Sequence, residues 1–309
     1  MMSRPLASEH PTGPFYRTLP PPTMHEAALT AGVRIEPGTT YGFFTDTTVC
    51  IGCKSCEAAC KQWNQNPMDD FGFKGTSYDN TGELSATTWR HVAFVETRID
   101  TNGDHRRDRT RWTFMSDVCK HCENAGCMEA CPTGAIIRTE FGTVLIQQDV
   151  CNGCAYCVPS CPFGVITLAE EQDRKAHKCT LCYDRMKVGM EPACAKACPT
   201  DSIQFGPVTE LRERARERLR FLHSRGRREA YLYGVPDAPG AAGGVGSLNC
   251  FFLLTERPEV YNLPPLPELP SRRAGAGFLT ATAAALFWGA VTTAMILAPR
   301  REQREGGRQ

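Results

Sequence analysis

Residues 151–162 read Cys-Asn-Gly-Cys-Ala-Tyr-Cys-Val-Pro-Ser-Cys-Pro. Cys151, Cys154 and Cys157 stand at C-x2-C-x2-C spacing, and Cys161 follows with Pro162 behind it. Such spacing lets three thiolates converge on three irons of one cubic iron–sulfur cluster, while the fourth thiolate reaches across to a second cluster. The proline after the fourth cysteine fixes the local backbone.

Three related groups flank this run. Cys50, Cys53, Cys56 and Cys60 share its spacing, except that Lys61 replaces the proline. Cys119, Cys122, Cys127 and Cys131 have a widened gap and end in Pro132; Cys179, Cys182, Cys194 and Cys198 have a long gap and end in Pro199. The groups take 16 of the 17 cysteines among 309 residues. Their tails repeat as Cys131-Pro-Thr-Gly-Ala-Ile136, Cys161-Pro-Phe-Gly-Val-Ile166 and Cys198-Pro-Thr-Asp-Ser-Ile203. A short strand is expected after each Cys-Pro, with Thr143–Gln147 and Gln204–Phe205 completing small two-stranded sheets. The remaining cysteine, Cys250, sits in an apolar strand, Cys250–Leu254, and reads as a small buried hydrophobe.

Zinc knuckles also use paired C-x2-C motifs. A third cysteine two or four residues further on, and a fourth before a proline, are needed by paired cubes and not by zinc, so the pattern favours clusters. An odd cysteine total and close pairs argue against a disulfide framework. Crosswise ligation makes the two middle groups one two-cluster module, inserted in a second module formed by the first and last groups. Lys54, Lys61, Lys120, Lys175, Lys178, Lys187 and Lys196 lie beside the ligands, where positive charge raises reduction potentials.

The net charge of +1 gives no case for nucleic acid or another polyanion. No Gly-rich nucleotide motif and no kinase or hydrolase signature is present, so the chain reads as an electron carrier without a catalytic site. Residues 1–23 read as a polar, Pro-rich tail, followed by a weak helical patch at Met24–Val33 that ends by Gly38. The segment 62–113 is aromatic and polar (Trp63, Phe71, Phe73, Tyr78, Trp89, Trp112), with strands at Trp89–Ile99 and Arg109–Met115 around a turn at Thr101–Asp104. Residues 208–225 have Leu211, Ala215, Leu219 and Leu222 on one face of a helix, with the charges solvated. A Pro-rich linker, Leu263–Pro270, precedes 274–298, an uncharged stretch long enough to cross a membrane and without a His to ligate haem. Ala281, Ala285 and Gly289 form a small-residue stripe that admits close approach of another membrane helix. Arg272 and Arg273 precede the span, and Arg300, Arg301, Arg304 and Arg308 follow it, which favours a cytoplasmic C-terminus and a large domain on the outer face. No signal peptide or twin-arginine motif is seen, so export is expected to depend on a signal carried by a partner.

Cys50-Ile-Gly-Cys-Lys-Ser-Cys-Glu-Ala-Ala-Cys60, Tyr78-Asp79-Asn80, Leu84-Ser85-Ala86, Lys178-Cys-Thr-Leu-Cys182, Gly189-Met-Glu-Pro-Ala-Cys194 and the C-terminal span carry a family resemblance. From about residue 40 to 298 the sequence resembles the iron–sulfur (beta) subunits of membrane-bound, respiratory-type formate dehydrogenases. The resemblance implies four [4Fe–4S] clusters wiring a molybdenum or tungsten pterin catalytic (alpha) subunit, which oxidises formate, to a membrane cytochrome b (gamma) subunit and quinone. It implies one cluster on Cys50, Cys53, Cys56 and Cys198 and a second on Cys179, Cys182, Cys194 and Cys60. A third falls on Cys119, Cys122, Cys127 and Cys161, and a fourth on Cys151, Cys154, Cys157 and Cys131.

The expected fold is α+β, two ferredoxin-like double-cluster modules, one nested in the other, plus one C-terminal transmembrane helix in the cell membrane. Its segments are a tail (1–40), the first motif with a hairpin insertion (41–113), the inner module (114–170) and the last motif, which completes the outer module (171–206). A helix, strand and linker (207–273), the span (274–298) and a tail (299–309) follow. The alternative is the equivalent four-cluster subunit of a membrane-bound hydrogenase or another molybdopterin oxidoreductase.

Overall fold

The computed structural model describes residues 35–68, 81–99, 109–170, 172–241 and 243–297. The helical patch at Met24–Val33, the motif Tyr78–Asn80, the aromatics Phe71 and Phe73, the turn at Thr101–Asp104 and the tail from Pro299 lie outside the described residues.

A strand not anticipated from the sequence, β1 (Tyr41–Asp46), lies at the centre of the largest sheet. β1 pairs antiparallel with β8 (Ile203–Pro207) and parallel with β10 (Cys250–Leu254), which pairs antiparallel with β9 (Tyr231–Tyr233). β8 thus joins this four-stranded sheet, whereas a two-stranded sheet was expected at Gln204–Phe205. All residues of β1 and β10 are buried, as expected of strands covered on both faces. Alternation along β1 sends Tyr41 and Phe43 toward the cysteine-bearing core and Phe44 toward a second core on the other side. Tyr41 stacks on Phe205 at 5.6 Å and Phe44 on Phe251 at 5.5 Å.

The second core is covered by a helix, Val208–Ser224, with Leu211, Ala215 and Leu222 buried and Leu219 half-buried, as its periodicity requires. Its charges are not all solvated. Arg218 crosses to the buried Asp46 at 2.8 Å and to Thr48 at 3.0 Å, which steadies the turn leading into Cys50.

The hairpin is present as β2 (Arg90–Ile99) and β3 (Arg109–Val118), in register from Arg90↔Val118 to Ile99↔Arg109. Its base is buried at Arg90, Val92, Met115 and Val118, while Glu96, Arg98 and Trp112 are exposed. The strands expected after Cys131 and Cys161 form two small antiparallel pairs, β4 (Ile136–Arg138) with the expected β5 (Val144–Ile146) and β6 (Thr167–Leu168) with β7 (Ala176–His177), which was not anticipated.

The last helix, Pro270–Leu297, starts four residues before the uncharged stretch, because Pro270 is tolerated in a first helical turn. Its segment Gly277–Leu297 is long and apolar enough to cross a membrane and packs no buried residue against the rest of the protein. Phe278, Leu286, Trp288 and Ile296 are all exposed.

Gly42 shows how tightly the sheet closes. A Cβ there would stand 1.7 Å from the Asn249 carbonyl oxygen, which accepts from the Phe43 N–H at 3.0 Å. Its register partner Gly206 has room, with Leu211 at 3.7 Å. Gly42→Ala is expected to cost roughly 3 kcal/mol, the upper range for overpacking, and Gly206→Ala close to nothing; thermal unfolding of the two variants measures the contrast.

Candidate iron–sulfur centres

The backbone repeats one bend at each cysteine motif. The residue before the second cysteine is left-handed in all four: Gly52 (φ 67°), His121 (φ 44°), Gly153 (φ 73°) and Leu181 (φ 59°). This bend wraps the chain around a point instead of letting it run on as helix or strand. At Gly153 a Cβ would also meet the Arg174 carbonyl oxygen at 2.4 Å, so glycine is needed twice over.

After each bend a helix begins near the third cysteine. Cys56 lies in α1 (Ser55–Asn64), Cys127 in α2 (Gly126–Glu129), Cys157 in α3 (Cys157–Ser160) and Cys194 in α5 (Ala193–Lys196), with α4 (Tyr183–Lys187) between the last two. α2, α3 and α5 stop just before Cys-Pro. At the first motif Lys61 stands in the proline's place and α1 runs on to Asn64, carrying Cys60.

The expected groups of four come together. Cys50, Cys53, Cys56 and Cys198 line one cavity (quartet I), with Ile51, Val92 and Ile203. Cys60, Cys179, Cys182 and Cys194 gather where α1 packs on α5 (quartet II), each close enough for its charge to act on another. Cys119, Cys122, Cys127 and Cys161 line a cavity walled by Val144, Phe163 and Ile166 (quartet III). Cys131, Cys151, Cys154 and Cys157 line another between Ile136 and Ile146 (quartet IV). Cys250 is buried in β10.

The donor set suits iron–sulfur clusters. Each quartet offers four sulfurs, and the three cavities have largely apolar walls. Among the described residues no three His, Cys, Asp or Glu side chains close on a single metal ion. The sulfurs of quartets I, III and IV stand around a cavity, where a tetrahedral zinc site draws its ligands together at about 2.3 Å from the metal. Donors already point at cysteine sulfurs: the Leu181 N–H reaches Cys179 Sγ at 3.3 Å, Asn64 reaches Cys60 Sγ at 3.5 Å, and Ser116 lies 3.2 Å from Cys56 Sγ. Burial pushes the thiols of Cys56, Cys127 and Cys179 up to about 12 and that of Cys157 to about 11. As thiolates they need cationic iron beside them, and loading releases protons.

Of the seven lysines noted in the sequence, Lys120 and Lys178 are buried. The Lys178 ammonium donates to the carbonyls of Val144 and of Cys179, and that of Lys120 to Asp117 and the Val118 carbonyl. Lys187 and Lys196 are exposed, and Lys54, Lys61 and Lys175 are half-buried.

Two buried groups were missed. His121 lines the quartet III cavity; its Nδ1 accepts from the Val144 N–H at 3.0 Å, and Nε2 has no partner. Burial, then Lys178, Arg138 and Arg90, hold its pKa far below the ordinary value, so the ring is neutral with its proton on Nε2. Arg90, 1 % exposed, sits at the base of the hairpin beside quartets I and II. The available signal was its alternation with Val92, which puts a charge on the inward side of a strand.

Comparison with known proteins agrees with this geometry. Two families, each described as a 4Fe-4S dicluster domain, match residues 49–135 and 110–208. The formate dehydrogenase, nitrate-inducible, iron-sulfur subunit of Escherichia coli (strain K12) is 39% identical over 256 residues, covering 78% of this chain and 82% of that protein. The chain belongs to the family of formate dehydrogenase iron–sulfur subunits. The formate dehydrogenase iron-sulfur subunit of Haemophilus influenzae is 40% identical over 228 residues, covering 72% of this chain and 68% of its own. A subunit of the anaerobic dimethyl sulfoxide reductase of Escherichia coli is 36% identical over 184 residues, covering 57% of this chain and 78% of its own. Membership makes this an electron-transfer subunit with [4Fe–4S] clusters, not a catalytic one.

Glu57 ties α1, and with it Cys56 and Cys60, to the hairpin by accepting the Val92 N–H. Burial raises its carboxyl pKa, and the Val92 N–H, Lys54 and His91 draw it partly back. The folded state then holds this proton more tightly than the unfolded chain. Its contribution to stability is full below the ordinary pKa of about 4.3 and is lost as pH rises through the raised folded value. Glu57→Gln keeps the acceptor and is expected to flatten that decline, while Glu57→Ala strands the Val92 N–H at a cost of about 1–3 kcal/mol. Thermal midpoints across roughly pH 4–8 check both outcomes.

Proposed function

We propose that this chain holds four [4Fe–4S] clusters, one in each quartet, and conducts electrons from a formate-oxidising molybdenum or tungsten pterin subunit toward a membrane cytochrome b and quinone. The observation that carries the reading is the gathering of sixteen cysteines into four groups, each with three ligands from one motif and a fourth from another. When bound, each cluster takes up and returns one electron.

The protein's part is to hold the ligands at tunnelling distance in a dry interior. The quartets adjoin in series: Cys56 of I feels Cys194 of II, Cys179 of II feels Cys119 of III, and Cys127 of III feels Cys157 of IV. That order fits an inner two-cluster module (III and IV) nested in an outer one (I and II), with the segment boundaries expected from the sequence. The last helix is read as the membrane anchor, with membrane lipid and the cytochrome b subunit around it. The arginines after it favour a cytoplasmic C-terminus and the cluster domain on the outer face. A role beside another molybdopterin reductase is the second reading, favoured by the dimethyl sulfoxide reductase relative. Formate is preferred because the match to a formate relative runs over 256 residues against 184.

Purified protein is expected to contain about sixteen iron atoms per chain; stoichiometric zinc without iron overturns the reading. Cys157→Ser, which removes one ligand of quartet IV, is expected to stop electron flow from formate to quinone while formate-dependent dye reduction continues. Equal loss of both activities in an assembled complex contradicts a series path.

A further inference from the structure

Arg90 is a fully buried cation without an anion of ordinary kind beside it. Its Nη1 donates to the Ser116 hydroxyl at 3.0 Å, and its guanidinium lies 4.7 Å from the centre of the Phe43 ring. Nε and Nη2 have no partner. A buried charge left in this state is strongly destabilising, and folded proteins keep one only where a counter-charge meets it. The two deeply buried lysines differ, because Lys120 and Lys178 spend their protons on backbone carbonyls and Asp117. The groups whose charge acts on Arg90 are sulfurs: Cys194, Cys179 and Cys60 of quartet II and Cys56 of quartet I. Burial alone pulls its pKa down, and these sulfurs outweigh that and raise it.

We infer that Arg90 is a shared positioning residue between quartets I and II, its open Nε and Nη2 protons donated to sulfur of the clusters held there. This rests on the four-cluster reading above. A planar guanidinium holds its donors in fixed directions around one delocalised charge, whereas an ammonium is a compact point charge whose three donors rotate. Net charge and hydrogen bonds to sulfur are among the main determinants of cluster potential. One cation between two anionic clusters therefore raises both potentials together and screens each from the electron on the other. Losing it makes both clusters harder to reduce, and those of quartets III and IV keep their potentials.

The test is a redox titration followed by electron paramagnetic resonance on the complex purified from membranes, comparing wild type, Arg90→Lys and Arg90→Gln, with iron counted in each. Iron in the wild type tests the cluster reading by itself, before any variant is compared. In Arg90→Gln, two of the four centres are expected to shift to lower potential by a tenfold change in reduction equilibrium, about 59 mV for one electron. Arg90→Lys, which keeps the charge, recovers most of that shift. Unchanged potentials in Arg90→Gln with full iron, or an equal shift of all four centres, overturn the inference. Should Arg90→Gln fail to load iron, Arg90→Lys decides. Full iron with near wild-type potentials supports the role of the charge, and any other result assigns Arg90 to packing alone and overturns it.

Discussion

Each quartet takes three cysteines from one motif and the fourth from a different segment, and the rest of the structure follows from that crossing. A loop of three can form locally, since one left-handed residue bends the chain around a point. The fourth cysteine has to be brought in, across 26 to 142 residues of sequence: Cys131 to Cys157 in quartet IV, Cys161 to Cys119 in III, Cys60 to Cys179 in II and Cys198 to Cys56 in I. Closing such spans costs chain entropy that grows slowly with length. What offsets it here is a sheet buried on both faces, with aromatic stacking of Tyr41 on Phe205 and Phe44 on Phe251.

The same crossing sets the electrostatics. Thiols held in an apolar interior resist ionisation, and burial is the largest cause of the raised values at Cys56, Cys127, Cys157 and Cys179. Cations are the natural companions of such groups. Among the described residues the most deeply buried are Arg90, Lys120 and Lys178, and all three lie at the sides of quartets, away from the surface. Lys178 stands among Cys119, Cys127 and Cys179, between quartets III and II, as Arg90 stands between II and I. Positive charge is thus placed at the junctions of the series.

The cysteine motifs were legible in their spacing, and the groups of four that the family resemblance implied lie together in the structure. The amphipathic helix at Val208–Ser224 was readable from its periodicity, the hairpin from its turn signal, and the strand at Cys250–Leu254 and the last helix from their unbroken apolar runs. β1 was not. Tyr-Gly-Phe-Phe-Thr-Asp does not alternate, since both its faces are covered, and its parallel partner lies more than 200 residues away. β8 was found as a strand but misjudged in its company, because its antiparallel partner is that same β1. Arg90 and His121 escaped notice for a related reason: arginine in a strand and histidine in a loop ordinarily face water, and only tertiary packing puts them inside.

The threading of the chain also orders its making. Quartets III and IV have all their cysteines by residue 161, while II waits for residue 194, I for residue 198 and β1 for β10 at residues 250–254. A chain leaving the ribosome therefore has every cysteine of quartets III and IV before those of I and II are complete. During that interval Cys50, Cys53, Cys56 and Cys60 are already made, with their companions and the covering sheet still unsynthesised. The first motif, earliest to appear, is thus among the last to have all its partner cysteines present.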